Sequence, residues 1–309
     1  MQKQSHVSIC VVAVILLALT VVGSVWDLEI VKATFIGQLP SENAFGIIFS
    51  YIGIIPTFVG WSFLGSIIFC LSKKHIEDTK KRRWLMAFAI LLFVLSFFYF
   101  CNTIYLSNVN AFEIHFAVAY SIGIAVLCAT AYLGYKLSAK SDDGELLKKV
   151  LFLAVVSLIT LVIISVTKKI MSRPRFRFVL AMDNMDYFKN WWQSGSTLKA
   201  SLDLGAVSDE FSSFPSGHSA YSMFAIFLFP FIADSVRGLK KFKPYFFVMG
   251  FIWWGATALS RMTVGAHYLT DVTIAGLVTI LAYVIVSVVK RIYIKRKKNG
   301  CSNKITMVQ

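Results

Sequence analysis

Eight apolar stretches of roughly twenty residues constrain this chain more than any other feature, since a helix of about that length crosses a bilayer core. They lie at 7–26, 46–71, 84–106, 112–135, 150–167, 219–234, 244–261 and 271–290. Composition points the same way. Only 15% of the 309 residues are charged and 57% are hydrophobic, whereas a soluble domain carries about a quarter charged residues. The 27 Phe, 12 Tyr and 7 Trp exclude a disordered chain. The expectation is an all-α polytopic membrane protein with about eight transmembrane helices. The first stretch is long for a secretory h-region and no A-x-A site follows it, so it reads as an uncleaved helix.

A net charge of +15 would suit a nucleic-acid binder, but in a membrane protein Lys and Arg first report orientation. With the N-terminus inside, the inner segments 1–6, 72–83, 136–149, 235–243 and 290–309 hold 22 of the 31 Lys and Arg. The outer segment 27–45 has only Lys32, and 107–111 has none. Both termini are therefore expected in the cytoplasm, and no nucleic-acid partner is implied. The cysteines (Cys10, Cys70, Cys101, Cys128 and Cys301) show no CxxC spacing, so neither a zinc site nor a disulfide framework is expected. One outer segment breaks the charge rule: 168–218 carries Lys168, Lys169, Arg173, Arg175, Arg177, Lys189 and Lys199.

Three short segments reach that same outer face. Lys168-Lys-Ile-Met-Ser-Arg-Pro-Arg175 follows the fifth stretch, and Phe214-Pro-Ser-Gly-His218 precedes the sixth. Ser260-Arg261-Met-Thr-Val-Gly-Ala-His267-Tyr-Leu-Thr-Asp271 joins the seventh to the eighth. Ser216 can cap the helix that follows, whose unpaired N–H groups and positive dipole end attract an anion. Gly217 lets an oxyanion approach the backbone, and His218 can exchange a proton near neutral pH. His267 and Asp271 are four residues apart, which on a helix is one face. The carboxylate can then accept a hydrogen bond from one ring nitrogen and leave the other as a nucleophile's lone pair. Gly265 allows a turn between Arg261 and His267. Lys168, Arg175 and Arg261 bring positive charge for the equatorial oxygens of a phosphoryl transition state.

These segments resemble the motifs K-x6-R-P, P-S-G-H and S-R-x5-H-x3-D of the type 2 phosphatidic acid phosphatase (lipid phosphate phosphatase) superfamily. The second and third agree at every defined position. In the first, Phe176 stands where the family has proline, while Arg173-Pro174 lies two residues earlier. Spacing selects Lys168 with Arg175, and Lys169 and Arg173 stand in reserve. The resemblance implies that His267 attacks phosphorus and becomes a phosphohistidine, with Asp271 orienting it. It further implies that His218 protonates the leaving oxygen and then activates water. Lys168, Arg175, Ser216, Gly217 and Arg261 would bind the phosphoryl oxygens, with no metal and no cofactor. The resemblance covers 168–271 by motif and about 150–290 by helix pattern. A family core of six helices would leave about two extra helices in the N-terminal half.

Taken singly, several of these residues have plainer readings. The cluster Lys168 to Arg177 could bind lipid headgroups, and Arg261 could snorkel to the interface. His6 and His75 sit in basic inner segments as solvated groups. Glu113 and His115 at an outer helix start read as an interfacial pair. Tyr187, Phe188, Trp191 and Trp192 form either an interfacial aromatic belt or a lid over the site. The outer loop 176–214 is long and contains Asp183, Asp186, Asp203, Asp209 and Glu210, so it is a candidate lid or headgroup reader.

The chain thus divides into N-terminal transmembrane helices at 1–149, a catalytic transmembrane region at 150–290 and a basic cytoplasmic tail at 291–309. The expected function is an integral-membrane lipid phosphatase or diphosphatase acting on the extracytoplasmic side. Isoprenoid diphosphates, phosphatidylglycerophosphate and phosphatidic acid are candidate substrates, and membrane lipids are the other expected partners. Two alternatives stand beside it. One is a phosphoryl or headgroup transferase on the same fold. The other is a non-enzymatic transporter or scaffold, which leaves His218, His267 and Asp271 without a purpose. The short loops and compact basic segments point to a bacterial plasma membrane.

Overall fold

The computed structural model describes residues 2–107, 116–141, 144–193 and 207–306. Its helices are α1 (Gln2–Thr34), α2 (Ala44–Ile52), α3 (Ile55–His75), α4 (Thr79–Ser107), α5 (Phe116–Ala139) and α6 (Gly144–Met171). They continue as α7 (Phe176–Ala181), α8 (Gly217–Met223), α9 (Ala225–Ser235), α10 (Lys243–Thr263) and α11 (Leu269–Thr306). Among the described residues there is no strand. Glu113, His115, Lys199 and Asp203 lie outside the described residues.

Six segments are long and apolar enough to cross a membrane: Val7–Thr34, Ala44–His75, Thr79–Thr103, Tyr120–Ala139, Gly144–Ala181 and Leu269–Arg296. The molecule is all-α and polytopic. The sixth and seventh expected spans are weaker. The sixth is broken at Phe224 into α8 and α9, and α8 opens on the polar run Gly217-His218-Ser219. α10 is 21 residues long but buries Thr257, Ser260, Arg261 and Thr263. Both helices spend their inner faces on polar groups, so their sequences are less apolar than a plain span. α11 continues without interruption past residue 290 to Thr306, so the start of the basic tail is helical.

α3 is the central rod. Phe58, Trp61, Leu64, Ile67, Ile68 and Leu71 are all buried between α4, α5 and α6. Trp61 Nε1 donates to Ser157 Oγ of α6 at 2.7 Å, and Ser62 Oγ donates to the Leu127 carbonyl of α5 at 2.8 Å. Such bonds between helices matter where lipid supplies no partner for a polar group. On the outer helices, Val14, Val21, Phe98 and Ile122 are exposed, as expected of faces turned to hydrocarbon. The break between α2 and α3 falls at Gly53 and Ile54, with Pro56 in the first turn of α3. A Cβ at Gly53 would stand 2.4 Å from the Thr257 side chain.

The second half of the bundle holds α1 against α11, α10 against α9 and α2, and α8 between α6, α10 and α11. α9 and α10 touch backbone to backbone: a Cβ at Gly250 would lie 2.7 Å from the carbonyl carbon of Ala225. Gly250→Ala should therefore force these helices apart and destabilise the fold by about 1–3 kcal/mol. Gly255→Ala, with nothing within 4 Å of the new Cβ, should be silent. Thermal unfolding of the two variants in detergent measures the difference.

Candidate active site

Backbone hydrogen bonds join the three motif segments at one end of the bundle. Ser213 N donates to Arg173 O at 3.1 Å and Arg175 N to Glu210 O at 2.8 Å. Arg177 N donates to Gly265 O at 2.9 Å, and Ser216 N to Asp271 O at 3.0 Å. The segment after α6, the segment before α8 and the turn between α10 and α11 thus form one irregular layer.

His267 lies in that turn rather than on a helix. α10 ends at Thr263, Gly265 takes φ +65°, and the amides of Ala266 and His267 both donate to the Arg261 carbonyl, at 3.1 and 3.2 Å. A Cβ at Gly265 would approach the Phe35 ring to 3.0 Å, so both the backbone sign and the available space require glycine. Asp271 sits in the first turn of α11. The expected hydrogen bond between His267 and Asp271 is replaced by another. His267 Nδ1 is 3.7 Å from Asp271 Oδ2 but 2.6 Å from the Ser213 carbonyl oxygen. A carbonyl only accepts, so Nδ1 carries the proton and Nε2 keeps its lone pair. The tautomer is the expected one, with a different partner. Burial, reinforced by the charges of Lys168 and Arg261, pushes the imidazole well below the ordinary histidine range against the opposing pull of Asp271. His267 is therefore neutral at pH 7.

Asp271 is fully buried and hydrogen-bonded through both oxygens. Oδ1 accepts from Arg173 Nη1, and Oδ2 accepts from Ser213 Oγ and from Tyr268 N, the last at 2.9 Å. Ser213 therefore serves twice, its hydroxyl on Asp271 and its carbonyl on His267. Arg173, which spacing left in reserve, turns inward, and its side chain is 0% exposed.

Two cationic groups, Lys168 and Arg261, act on the His267 ring. Lys168 Nζ donates to the Ser212 carbonyl, and Lys168 Cε lies 3.7 Å from where a Cβ of Gly217 would be. Arg175 is buried and pairs with the exposed Asp209 at 2.9 Å. Arg261 is buried and donates through Nη1 to Ser50 Oγ of α2. Among the described residues, Nε of Arg175 and Nε of Arg261 are buried without a hydrogen-bond partner. Ser216 caps α8 by accepting from Ser219 N at 3.3 Å. Gly217 is buried and His218 half-buried. The His218 ring makes no hydrogen bond among the described residues, and burial, reinforced by the charges of Arg261, Lys168 and Arg175, pushes it well below the ordinary histidine range. The eight sequence-selected residues thus fall in one place.

Sequence reasoning held Arg173 only in reserve as a phosphate binder and missed Asp27, Ser213 and Ser50. No spacing rule links Asp27 and Ser50 to the motifs, because they come from α1 and α2. Phe176, where the family has proline, opens α7 and packs with Val31 and Tyr268. The aromatics of the outer loop divide. Phe188 lies against Tyr268 at 5.3 Å and Trp191 against Phe214 at 5.9 Å, over the motif layer, while Trp192 is exposed. Among the described residues no group of three His, Cys, Asp or Glu could hold a metal ion.

The family model described as the PAP2 superfamily matches residues 149–297, a region that contains all three motif segments, and this match supports the type 2 phosphatidic acid phosphatase superfamily. No curated protein and no solved structure matches the chain. Family and apolar helices together make it a membrane phosphatase-type protein. Gly265→Ala should cost about 1–2 kcal/mol from its left-handed backbone alone. It should also lower activity through displacement of His267, which thermal unfolding and turnover of the same preparation would register together.

Proposed function

We propose that the protein hydrolyses a lipid phosphate or diphosphate through a phosphohistidine on His267. The observation that carries this reading is the bond from His267 Nδ1 to the Ser213 carbonyl, which leaves the Nε2 lone pair free on a ring acted on by Lys168 and Arg261. The buried, unpartnered Nε–H groups of Arg175 and Arg261 need acceptor oxygens, which a phosphoryl group supplies.

In the first step Nε2 of His267 attacks phosphorus and the bond from phosphorus to the leaving oxygen breaks. His218, protonated once the negative charge of the bound phosphate offsets the cations around it, gives that oxygen a proton. In the second step neutral His218 takes a proton from water, the hydroxide displaces His267 from phosphorus, and inorganic phosphate leaves. Lys168, Arg175, Arg261 and the first-turn amides of Gly217 and His218, which have no carbonyl within their helix, hold the equatorial oxygens. Asp271 and Ser213 fix the ring that attacks. This chemistry draws on no metal. A site at one end of an apolar bundle suits a substrate whose phosphate is wet and whose tail remains in lipid. The positive-inside rule places it on the extracytoplasmic face, with isoprenoid diphosphates, phosphatidylglycerophosphate and phosphatidic acid as candidate substrates.

Purified protein in EDTA, given a panel of lipid phosphates and diphosphates, should release phosphate. His267→Ala should lower that rate by about a thousandfold or more. His218→Ala should lower it by about 10²–10⁴-fold, and with a diphosphate, whose leaving group needs less protonation, should leave phosphorylated protein behind. Wild-type silence toward every hydrolytic substrate, with product formed only when an acceptor lipid is added, would replace hydrolysis by transfer.

A further inference from the structure

We propose that Asp27, a carboxylate of α1 outside the family-matched region, is a positioning residue for the phosphoryl-transfer centre. Acting through Arg173, it fixes the carboxylate of Asp271 and with it the turn that holds His267. The proposal rests on the phosphatase reading above.

The three charges form a buried chain. Side-chain exposure is 0% for Arg173, 3% for Asp27 and 0% for Asp271. Arg173 Nη2 donates to Asp27 Oδ2 at 2.9 Å. Nη1 donates to Asp271 Oδ1 and, at 3.0 Å, to Thr270 Oγ1. Nε donates to the Lys189 carbonyl at 2.8 Å, and the guanidinium carbon lies 4.0 Å from the Tyr268 ring centre. Asp27 also grips the first turn of α11 directly, accepting from Thr270 N at 3.0 Å and from Thr270 Oγ1. α1 is built for this approach. Its backbone leaves helical values at Trp26, and a Cβ at Gly23 would meet Thr270 Cγ2 at 2.9 Å.

A carboxylate on a membrane-spanning helix is costly, and such groups are kept where they have a partner and a task. A pair that merely stapled α1 to the bundle would have no reason to end on Asp271. Here it does, and every further link is a hydrogen bond: Arg173 to Asp271, Asp271 to the Ser213 hydroxyl, and the Ser213 carbonyl to His267 Nδ1. Asp27 bonds to Arg173 and Thr270 and to none of the phosphate-binding cations, so its influence reaches the centre through those two residues.

The test uses the full-length protein in detergent, with Asp27→Asn and the milder, isosteric Thr270→Val. Rates are counted per folded molecule after size-exclusion. We expect kcat to fall about tenfold or more in Asp27→Asn while KM stays within about twofold, because Lys168, Arg175 and Arg261 are untouched. Thr270→Val should shift kcat in the same direction by less. In an Asp271→Asn background, Asp27→Asn should add little, since both act on one link. Orthovanadate, which occupies the phosphoryl position without turnover, should bind Asp27→Asn about tenfold or more weakly than wild type. Unchanged kcat in both single variants, or losses that multiply in the double variant, would show a staple and overturn the proposal. If the wild type binds orthovanadate but hydrolyses no lipid phosphate, the phosphatase reading falls by itself. Equal vanadate affinity in wild type and Asp27→Asn would then sink the positioning role as well. A wild type that neither hydrolyses nor binds vanadate counts against both.

Discussion

Arg173 holds this site together because a guanidinium cannot be left unpaired inside an apolar bundle. Its five donors form a rigid fork, and here the fork spans two carboxylates from opposite ends of the sequence, Asp27 and Asp271. Removing Arg173 would leave two buried carboxylates uncompensated, which is far more costly than the pairing is favourable. Whatever else α1, α6 and α11 do, they must meet where those three residues meet. The position of Asp271 follows from that meeting, then that of Ser213, then the ring of His267.

The same balance explains the character of the surrounding groups. Lys168, Arg175 and Arg261 form a cationic region that the Asp27–Arg173–Asp271 unit does not neutralise. Among the described residues the side-chain ion pair of Arg175 is with the exposed Asp209, and Arg261 donates to the neutral Ser50. Cations so poorly matched within the protein suit an anionic ligand. Asp209 can be displaced toward solvent, so Arg175 need not lose its partner before a phosphoryl oxygen replaces it.

Irregular backbone occurs where this site is built. Left-handed Ser172 and Gly265 and the non-helical values at Trp26 adjoin motif residues or the residues that support them. In a membrane protein such backbone is tolerated where it is buried in protein or lines a polar cavity, because lipid offers its N–H and C=O groups no partner. The broken and polar helices α8 and α10 therefore belong to the interior. α1, α4 and α5 carry much of the exposed apolar surface. The N-terminal half contributes more than bulk: Ser24 accepts from Trp191, Asp27 from Arg173 and Ser50 from Arg261.

The apolar runs and the motif pairs were legible in the sequence because each is a local property. Twenty apolar residues predict a span without knowledge of neighbours, and Pro215-Ser216-Gly217-His218 before such a run predicts a capped helix. Spacing alone selected Lys168 and Arg175 as the phosphate-binding pair. It could not say that Arg173, two residues from Arg175, turns the other way. That is decided by which side of one backbone segment faces Asp27, more than a hundred residues earlier in the chain. The histidine's partner was likewise hidden: a four-residue interval suggested Asp271, but the left-handed turn at Gly265 takes His267 off the helix and sets Nδ1 against the Ser213 carbonyl. Sequence by itself determined the membrane class, the resemblance to the family and the candidate site residues, since these depend on residue type and short intervals. Only the tertiary structure decided which charges pair, which remain free and which helix of the N-terminal half completes the centre, because those outcomes depend on contacts between distant segments.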